Sequence, residues 1–278
     1  MSGRASSAVL NTHERSAHVG RLAERRRLRR RRIILALFVV VAATLGGLVY
    51  GLWQHPVRIS RIAIYGADQA LADTAAEAMQ GRYLGVIPRD SIFFYSEERI
   101  RSAILAANPA IAAISIFRNG LSGLSIKVDY RVPIAQWCGL APVEGVTAYC
   151  YVFDANGFIF AAAATTTKTV NNFVLYAPLA GDTQEPLCAM LAHAERFPYM
   201  FEFTRRLATF GSPVEKIVLR NDEVDEYLRN GTRITYVLGS EQEAFAALTS
   251  AHENLNLADG SLDYVDLRFS GKVYSKKK

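Results

Sequence analysis

The sequence predicts an α+β protein in three parts: an N-terminal single transmembrane helix, a small β-α-α-β-β module, and a mixed β-sheet domain with flanking helices. Three observations predict it. Ile33 to Trp53 run for 21 residues without a charge. Residues 57–131 place two helical stretches between segments that alternate apolar and polar side chains. Beyond residue 132, short β-branched and aromatic runs are separated by turn residues, with longer helical segments among them.

The first part is read from charge and length. Half of the 278 residues are apolar and the formal charge is +6, but that charge is unevenly placed. Residues 1–32 hold ten arginines against Glu14 and Glu24, a net +8, whereas the other 246 residues carry 22 basic and 24 acidic side chains. The basic character therefore belongs to the tail, which lacks apolar periodicity and is expected to be disordered. The apolar run behind it spans roughly 30 Å as a helix, the thickness of a bilayer core. Arg29 to Arg32 border one end and Trp53 the other, so the positive-inside rule puts the N-terminus in the cytoplasm and the bulk of the chain outside. A cleaved signal peptide has a shorter apolar region, about 7–15 residues, so an uncleaved anchor in the cell membrane is expected. Ala43, Gly47 and Gly51 recur every fourth residue and form a face on which a second helix can approach, unless the recurrence is chance.

The module at 57–131 follows. Val57 to Tyr65 is a β-branched strand ended by Gly66. Ala70 to Met79 has helical composition. Ser96 is a good N-cap for a helix from Glu97 to Ala107, which Asn108-Pro109 stops. Ala110 to Phe117 and Leu124 to Tyr130 form a hairpin with Asn119-Gly120 at its turn.

The domain at 132–275 begins with strands at Tyr149 to Phe153 and Phe158 to Ala161 around the turn Asp154-Ala155-Asn156-Gly157. Glu185 to Leu207 is expected to be one helix, with Leu187, Met190, Leu191 and Ala194 on its buried side and Cys188 in its core. Val214 to Leu219, Asp225 to Arg229 and Arg233 to Leu238 read as strands, the last two joined at Asn230-Gly231. Glu241 to Leu255 is a helix, and the chain closes with a final strand, Leu262 to Phe269, and a short extension. Cys138 and Cys150 flank an eleven-residue loop between two expected strands. A disulfide there is geometrically reasonable; two buried thiols are the alternative.

Several of these segments carry a resemblance. The hairpin "NPAI…SIFRNGLSGLSIKV" is followed by "RVPIAQW", in which Arg131, Pro133, Ala135 and Trp137 stand at the marked positions. "Y-x-x-D-x-x-G-x-x-F" runs from Tyr151 to Phe160, and "YVDLRF" from Tyr264 to Phe269. Behind a membrane helix and in this order, they resemble the FtsQ/DivIB family of cell-division scaffold proteins, with 57–131 similar to its POTRA module. The resemblance covers about 57–275. It departs at the 138–150 insertion and the Ala/Thr-rich stretch 161–169. It implies a non-enzymatic division-site scaffold whose C-terminal strand recruits FtsB/FtsL-like single-pass coiled-coil partners. The family's functional aromatic falls on Phe269. Arg268 beside it is expected to pair an acidic partner residue, Tyr274 to serve as a second aromatic, and Ser270 and Gly271 to lie between them. Core packing is the other reading of Phe269.

The residues offer little chemistry of their own. The five histidines are scattered and show no metal-ligand spacing, and there is no glycine-rich phosphate loop. Asp222, Glu223, Asp225 and Glu226 lack the order of a calcium loop and are expected to be a solvated strand connection. No catalytic, cofactor or metal residue is expected, and the partners are proteins and the lipid bilayer, not nucleic acid or a small molecule. A strand-binding chaperone in secretion or outer-membrane assembly is the alternative function. It would require repeated modules or a barrel. The final strand, if it lies at a sheet edge, is the natural docking site, because free N–H and C=O groups accept an added strand.

Overall fold

The computed structural model describes residues 7–142, 149–164, 166–183 and 185–278, with side chains from residue 27 onward. It is a mixed α+β chain in two compact units. One holds the chain through Ala103 together with Ile116–Lys127; the other holds Ile104–Ser115 and Val128–Lys278.

α1 (Ser7–Leu52) opens the chain. Its Arg27–Leu52 stretch is long and apolar enough to cross a membrane, and its apolar side chains are exposed. The helix also runs through most of the basic tail, where disorder was the expectation. From Ser7 to Arg32 there is no proline and only one glycine, Gly20, among Ala, Leu, Glu and Arg. A helix nucleated in the apolar run extends through such residues at little cost.

β1 (Arg61–Tyr65), α2 (Ala70–Ala78), β2 (Arg82–Tyr83), β3 (Ile87–Pro88), α3 (Glu97–Ala107), β4 (Ile111–Arg118) and β5 (Gly123–Tyr130) follow. The strand expected from Val57 begins only at Arg61, because His55–Val57 form a 3₁₀ turn. β1 runs parallel to β5 with Arg61 opposite Gly123, in a three-stranded sheet ordered β1-β5-β4. The Ser96 hydroxyl caps α3 by accepting the Arg99 N–H at 3.3 Å. α3 buries Ile100 and Ile104 completely, as its apolar spacing requires. At the hairpin turn the Asn119 N–H donates to Gly123 O at 2.8 Å, and a Cβ on Gly123 would collide with the Asn119 carbonyl oxygen. The β2–β3 hairpin was not legible as a strand pair, since each strand has only two residues.

In the second unit, β6 (Ala135–Trp137), β7 (Tyr151–Phe153), β8 (Ile159–Ala162), β9 (Val174–Tyr176), α4 (Phe197–Leu207), β10 (Val214–Arg220), β11 (Glu223–Leu228), β12 (Arg233–Val237), α5 (Glu241–Ala251), β13 (Leu262–Asp266) and β14 (Tyr274–Lys277) build one nine-stranded sheet and two helices. The strand order is β14-β13-β12-β11-β10-β9-β6-β7-β8. A continuous core includes Phe153, Leu175, Phe197, Phe203, Ile217 and Tyr236. Phe203 lies 4.4 Å from Tyr236, ring centroid to centroid, which seats α4 on β12.

The helix expected over 185–207 exists only from Phe197. Pro198 would interrupt a ladder running through from 185 but is tolerated in the first turn of α4, and Cys188 and His193 have positive φ. Residues 188–191 instead bond to neighbouring backbone: the Cys188 N–H donates to Ile159 O at 2.9 Å and the Leu191 N–H to Gly157 O at 2.9 Å. Leu187 and Met190 are therefore exposed, and Cys188 is an exposed free thiol, not a helix-core residue. The acidic run 222–226 is likewise no solvated connection. Only its Asp222 is exposed, in the turn between strands; Glu223 onward is β11, and Asp225 and Glu226 are buried on opposite faces of that strand.

The marked positions of "RVPIAQW" and "Y-x-x-D-x-x-G-x-x-F" meet in this unit. The Arg131 guanidinium pairs with the Asp154 carboxylate, donates to Pro109 O at 3.0 Å, and lies 4.2 Å from the Phe158 ring centroid. Asp154 in turn accepts the N–H groups of Asn156 at 2.9 Å and Phe158 at 3.0 Å, which shapes the turn. Gly157 has φ 77°, and a Cβ there would sit 2.5 Å from that of Ala194. Trp137 is buried and donates to Ala177 O at 2.9 Å. Cys138 and Cys150, just outside the paired residues Trp137 and Tyr151, are joined in a disulfide.

Candidate functional site

The residues expected to bind a partner are brought together by the β13–β14 hairpin. β13 leaves the sheet after Asp266, Arg268 to Lys272 make the turn, and β14 returns antiparallel with Asp266 opposite Tyr274. The Lys272 N–H donates to Phe269 O at 3.0 Å, and Gly271 takes φ 69°, a conformation glycine adopts without strain. The return places Tyr274 against Phe269, edge to face, with ring centroids 5.4 Å apart. Both rings are about half exposed, Phe269 at 52% and Tyr274 at 48%, so Phe269 is not a core residue. Ser270 and Gly271 are exposed at the tip.

Arg268 is placed otherwise than expected. It is already bound within the chain: its Nη2 is 2.7 Å from Asp266 Oδ2 and its Nη1 2.7 Å from Glu223 Oε1. These bonds, Asp266 first and Glu223 second, raise its pKa above the ordinary arginine value. The same contact holds the Asp266 carboxyl below its usual range. Arg268 thus clamps the end of β13 to the start of β11 and is not a free cation for a partner's carboxylate.

The open edge also differs from the expectation. Leu262 to Phe269 does not lie at the sheet edge, because β13 is flanked by β12 on one side and β14 on the other. The edge is β14, four exposed residues, Tyr-Ser-Lys-Lys. Its outward groups follow from alternation. The Lys278 N–H donates inward to Ser261 O at 3.0 Å, so along an extended strand Tyr274 and Lys276 also face β13. The N–H and C=O of Ser275 and Lys277 then point away from the sheet. Lys276 is tied to Asp263 at 3.3 Å and Lys278 to Asn230 O at 3.1 Å, whereas Lys272 and Lys277 make no ion pair among the described residues. Sequence reasoning took this segment for a short extension, not an edge strand, because it is short and polar. The lysines were the available signal, since charged residues commonly protect exposed edges.

A groove of about 530 Å³ adjoins the hairpin, lined by Ala246, Ala247, Ser250 and Ala251 of α5 and by Gly271 and Val273. Small side chains on the helix make the room. An unpaired strand edge, two half-exposed rings and this groove can hold an extended or helical segment of another chain. Among the described residues no group of three His, Cys, Asp or Glu is placed to hold a metal ion. No protein-family model matches this sequence, and no curated protein matches it.

Proposed function

We propose that this chain is a single-pass membrane scaffold of the FtsQ/DivIB type, which recruits FtsB/FtsL-like coiled-coil partners to septal cell-wall synthesis through its C-terminal hairpin. The reading takes 57–131 as a POTRA-like recruitment module and sets the arginine-rich end of α1 in the cytoplasm. The observation that carries it is the open edge of β14 beside the exposed Phe269–Tyr274 pair. Strand addition supplies main-chain hydrogen bonds, and the two rings supply an apolar anchor. Lys272 and Lys277 favour an acidic partner segment. The RVPIAQW and YVDLRF segments support the family assignment, and the Arg131–Asp154 pair links the marked positions of RVPIAQW and Y-x-x-D-x-x-G-x-x-F.

Two variants separate the edge from the rings. Ser275→Pro deletes an outward N–H while leaving the bonds to β13 intact, since proline is tolerated where that group faces solvent. Phe269→Lys removes the aromatic anchor. Affinity capture with the detergent-solubilised full chain should retain single-pass coiled-coil membrane proteins. Each variant should cut that retention about tenfold or more, a loss near 1.4 kcal/mol. Retention unchanged in both, with circular dichroism preserved, would remove the hairpin from the docking site. Capture of secretion or outer-membrane proteins alone would favour the chaperone reading.

A further inference from the structure

The end of α1 is tied to the β2–β3 hairpin. The Trp53 indole, one residue beyond the helix, donates to Val86 O at 2.9 Å, and the Arg82 guanidinium stacks 4.6 Å over the same indole. The hairpin is therefore held at the level where the apolar helix ends. Its tip is unusual for a turn in water. The Tyr83 carbonyl accepts the Val86 N–H at 3.0 Å, closing a turn whose central residues, Leu84 and Gly85, both have positive φ, 50° and 74°. Such positions favour Asn or Gly. Leucine is there instead, 96% exposed, with Val86 beside it at 48%. Propensity and burial in water both disfavour this choice.

Cationic groups surround the apolar tip. Arg82 makes no ion pair among the described residues. The Arg89 guanidinium stacks 5.0 Å over Tyr83, and its Nε has no hydrogen-bond partner. A cavity of about 620 Å³ opens beside the hairpin, lined by Trp53, Arg58, Gly81, Arg82 and Asp90 among others. Asp90 is neutralised by Arg58, whose Nε lies 2.9 Å from it, so the unpaired charge at the cavity is the positive charge of Arg82. Indole, exposed aliphatic tip and unpaired arginine together are what the headgroup layer of a bilayer accommodates: rings at the interface, short apolar groups just below it, guanidinium on phosphate.

We propose that the β2–β3 hairpin is a membrane foot: Leu84 and Val86 enter the headgroup–acyl boundary beside α1, and Arg82 binds a lipid phosphate at the mouth of the cavity. The inference rests on α1 crossing a bilayer.

The test uses the full chain carrying Cys188→Ser, so that a single introduced thiol is labelled with a polarity-sensitive fluorophore. The label is placed by Leu45→Cys, Leu84→Cys, Val86→Cys or Ser275→Cys, and each protein is reconstituted into nanodiscs of equimolar phosphatidylcholine and phosphatidylglycerol, with plain or brominated acyl chains. Bromine should quench the label at 45 strongly and at 84 and 86 about twofold, and leave 275 unchanged. Arg82→Glu should return the label at 84 to the unquenched level, and inorganic phosphate should not displace it. Quenching at 45 but at neither 84 nor 86 would overturn the foot while leaving the span intact. No quenching at 45 would overturn the membrane reading, and the foot with it. Unchanged quenching in Arg82→Glu, or release of the label by inorganic phosphate, would overturn the assignment of the anion to a lipid.

Discussion

Glu226 sits fully buried on β11, and its Oε1 accepts the Tyr236 hydroxyl at 2.8 Å and lies 2.9 Å from that of Thr204. The Thr204 hydroxyl is equally close to Met200 O and has one proton to give, and Oε2 has no partner. Desolvation outweighs these bonds, the charge of Glu241 adds to it, and the carboxyl is pushed up to about 8. Burial and the neighbouring Glu226 likewise raise the Tyr236 phenol well above its usual range. The sign follows from linkage. Below the unfolded glutamate pKa, near 4.5, both states hold the proton. Between that value and about 8 only the folded state does, so stability falls as pH rises through this window and levels off above it. Glu226→Gln keeps the acceptor and removes the titration. It should be more stable than wild type at pH 8 by on the order of 1–3 kcal/mol and equal to it at pH 4, measured by urea unfolding. Equal stability at pH 8 would mean that the carboxyl is ionised in the folded state at little cost. Nothing in the local sequence marks this residue as the carboxyl of its run that is buried toward a helix. Asp222 to Glu226 reads as a polar run, and only the pairing of β11 between β10 and β12 turns Glu226 toward α4 and Asp225 toward Thr235.

Elements whose signals are local were legible. α3 has its cap, its apolar spacing and its Asn-Pro stop all between Ser96 and Pro109, and both Asn-Gly hairpin turns lie where they were expected. β9 and β14 were not legible as strands: β9 has three residues and its partners β6 and β10 lie far along the chain, and β14 is four residues with no apolar alternation. The stretch 185–196 misled for the opposite reason: its leucine and methionine spacing is helical, but Leu191 is buried by bonding alongside Gly157 and Ile159. For the candidate site, the residues were legible and the geometry was not. Phe269 and Tyr274 could be named, whereas the edge they stand on required knowing that the chain turns back after Gly271. The Arg131–Asp154 pair joins the entry of β6 to the β7–β8 turn, with both side chains largely buried at 19% and 9% exposure. Removing one member strands the other charge. Arg131→Ala and Asp154→Ala should each cost about 3–5 kcal/mol, and the double variant little more than either single. Additive losses in a double-mutant cycle would show that the two side chains stabilise the turn independently.

At the scale of the molecule, the question is which side of the membrane carries the sheet domain. The arginines of residues 1–32 flank only one end of the apolar helix, which favours retention of that end in the cytoplasm. The Cys138–Cys150 disulfide points the same way, because such bonds persist in oxidising compartments and are rare in the cytosol. The two arguments are independent: one uses charge at the anchor, the other redox chemistry in the second unit. Cys188 offers a direct test, being exposed, free and native to the chain. A membrane-impermeant maleimide added to intact spheroplasts should label the wild type to the same extent as after lysis, and should not label Cys188→Ser. If labelling requires lysis, the sheet domain faces the cytoplasm. The disulfide would then have to form against a reducing pool, and the C-terminal hairpin could not reach partners on the outer side of the membrane. The orientation of the anchor therefore decides whether the β14 edge can act as the proposed function requires.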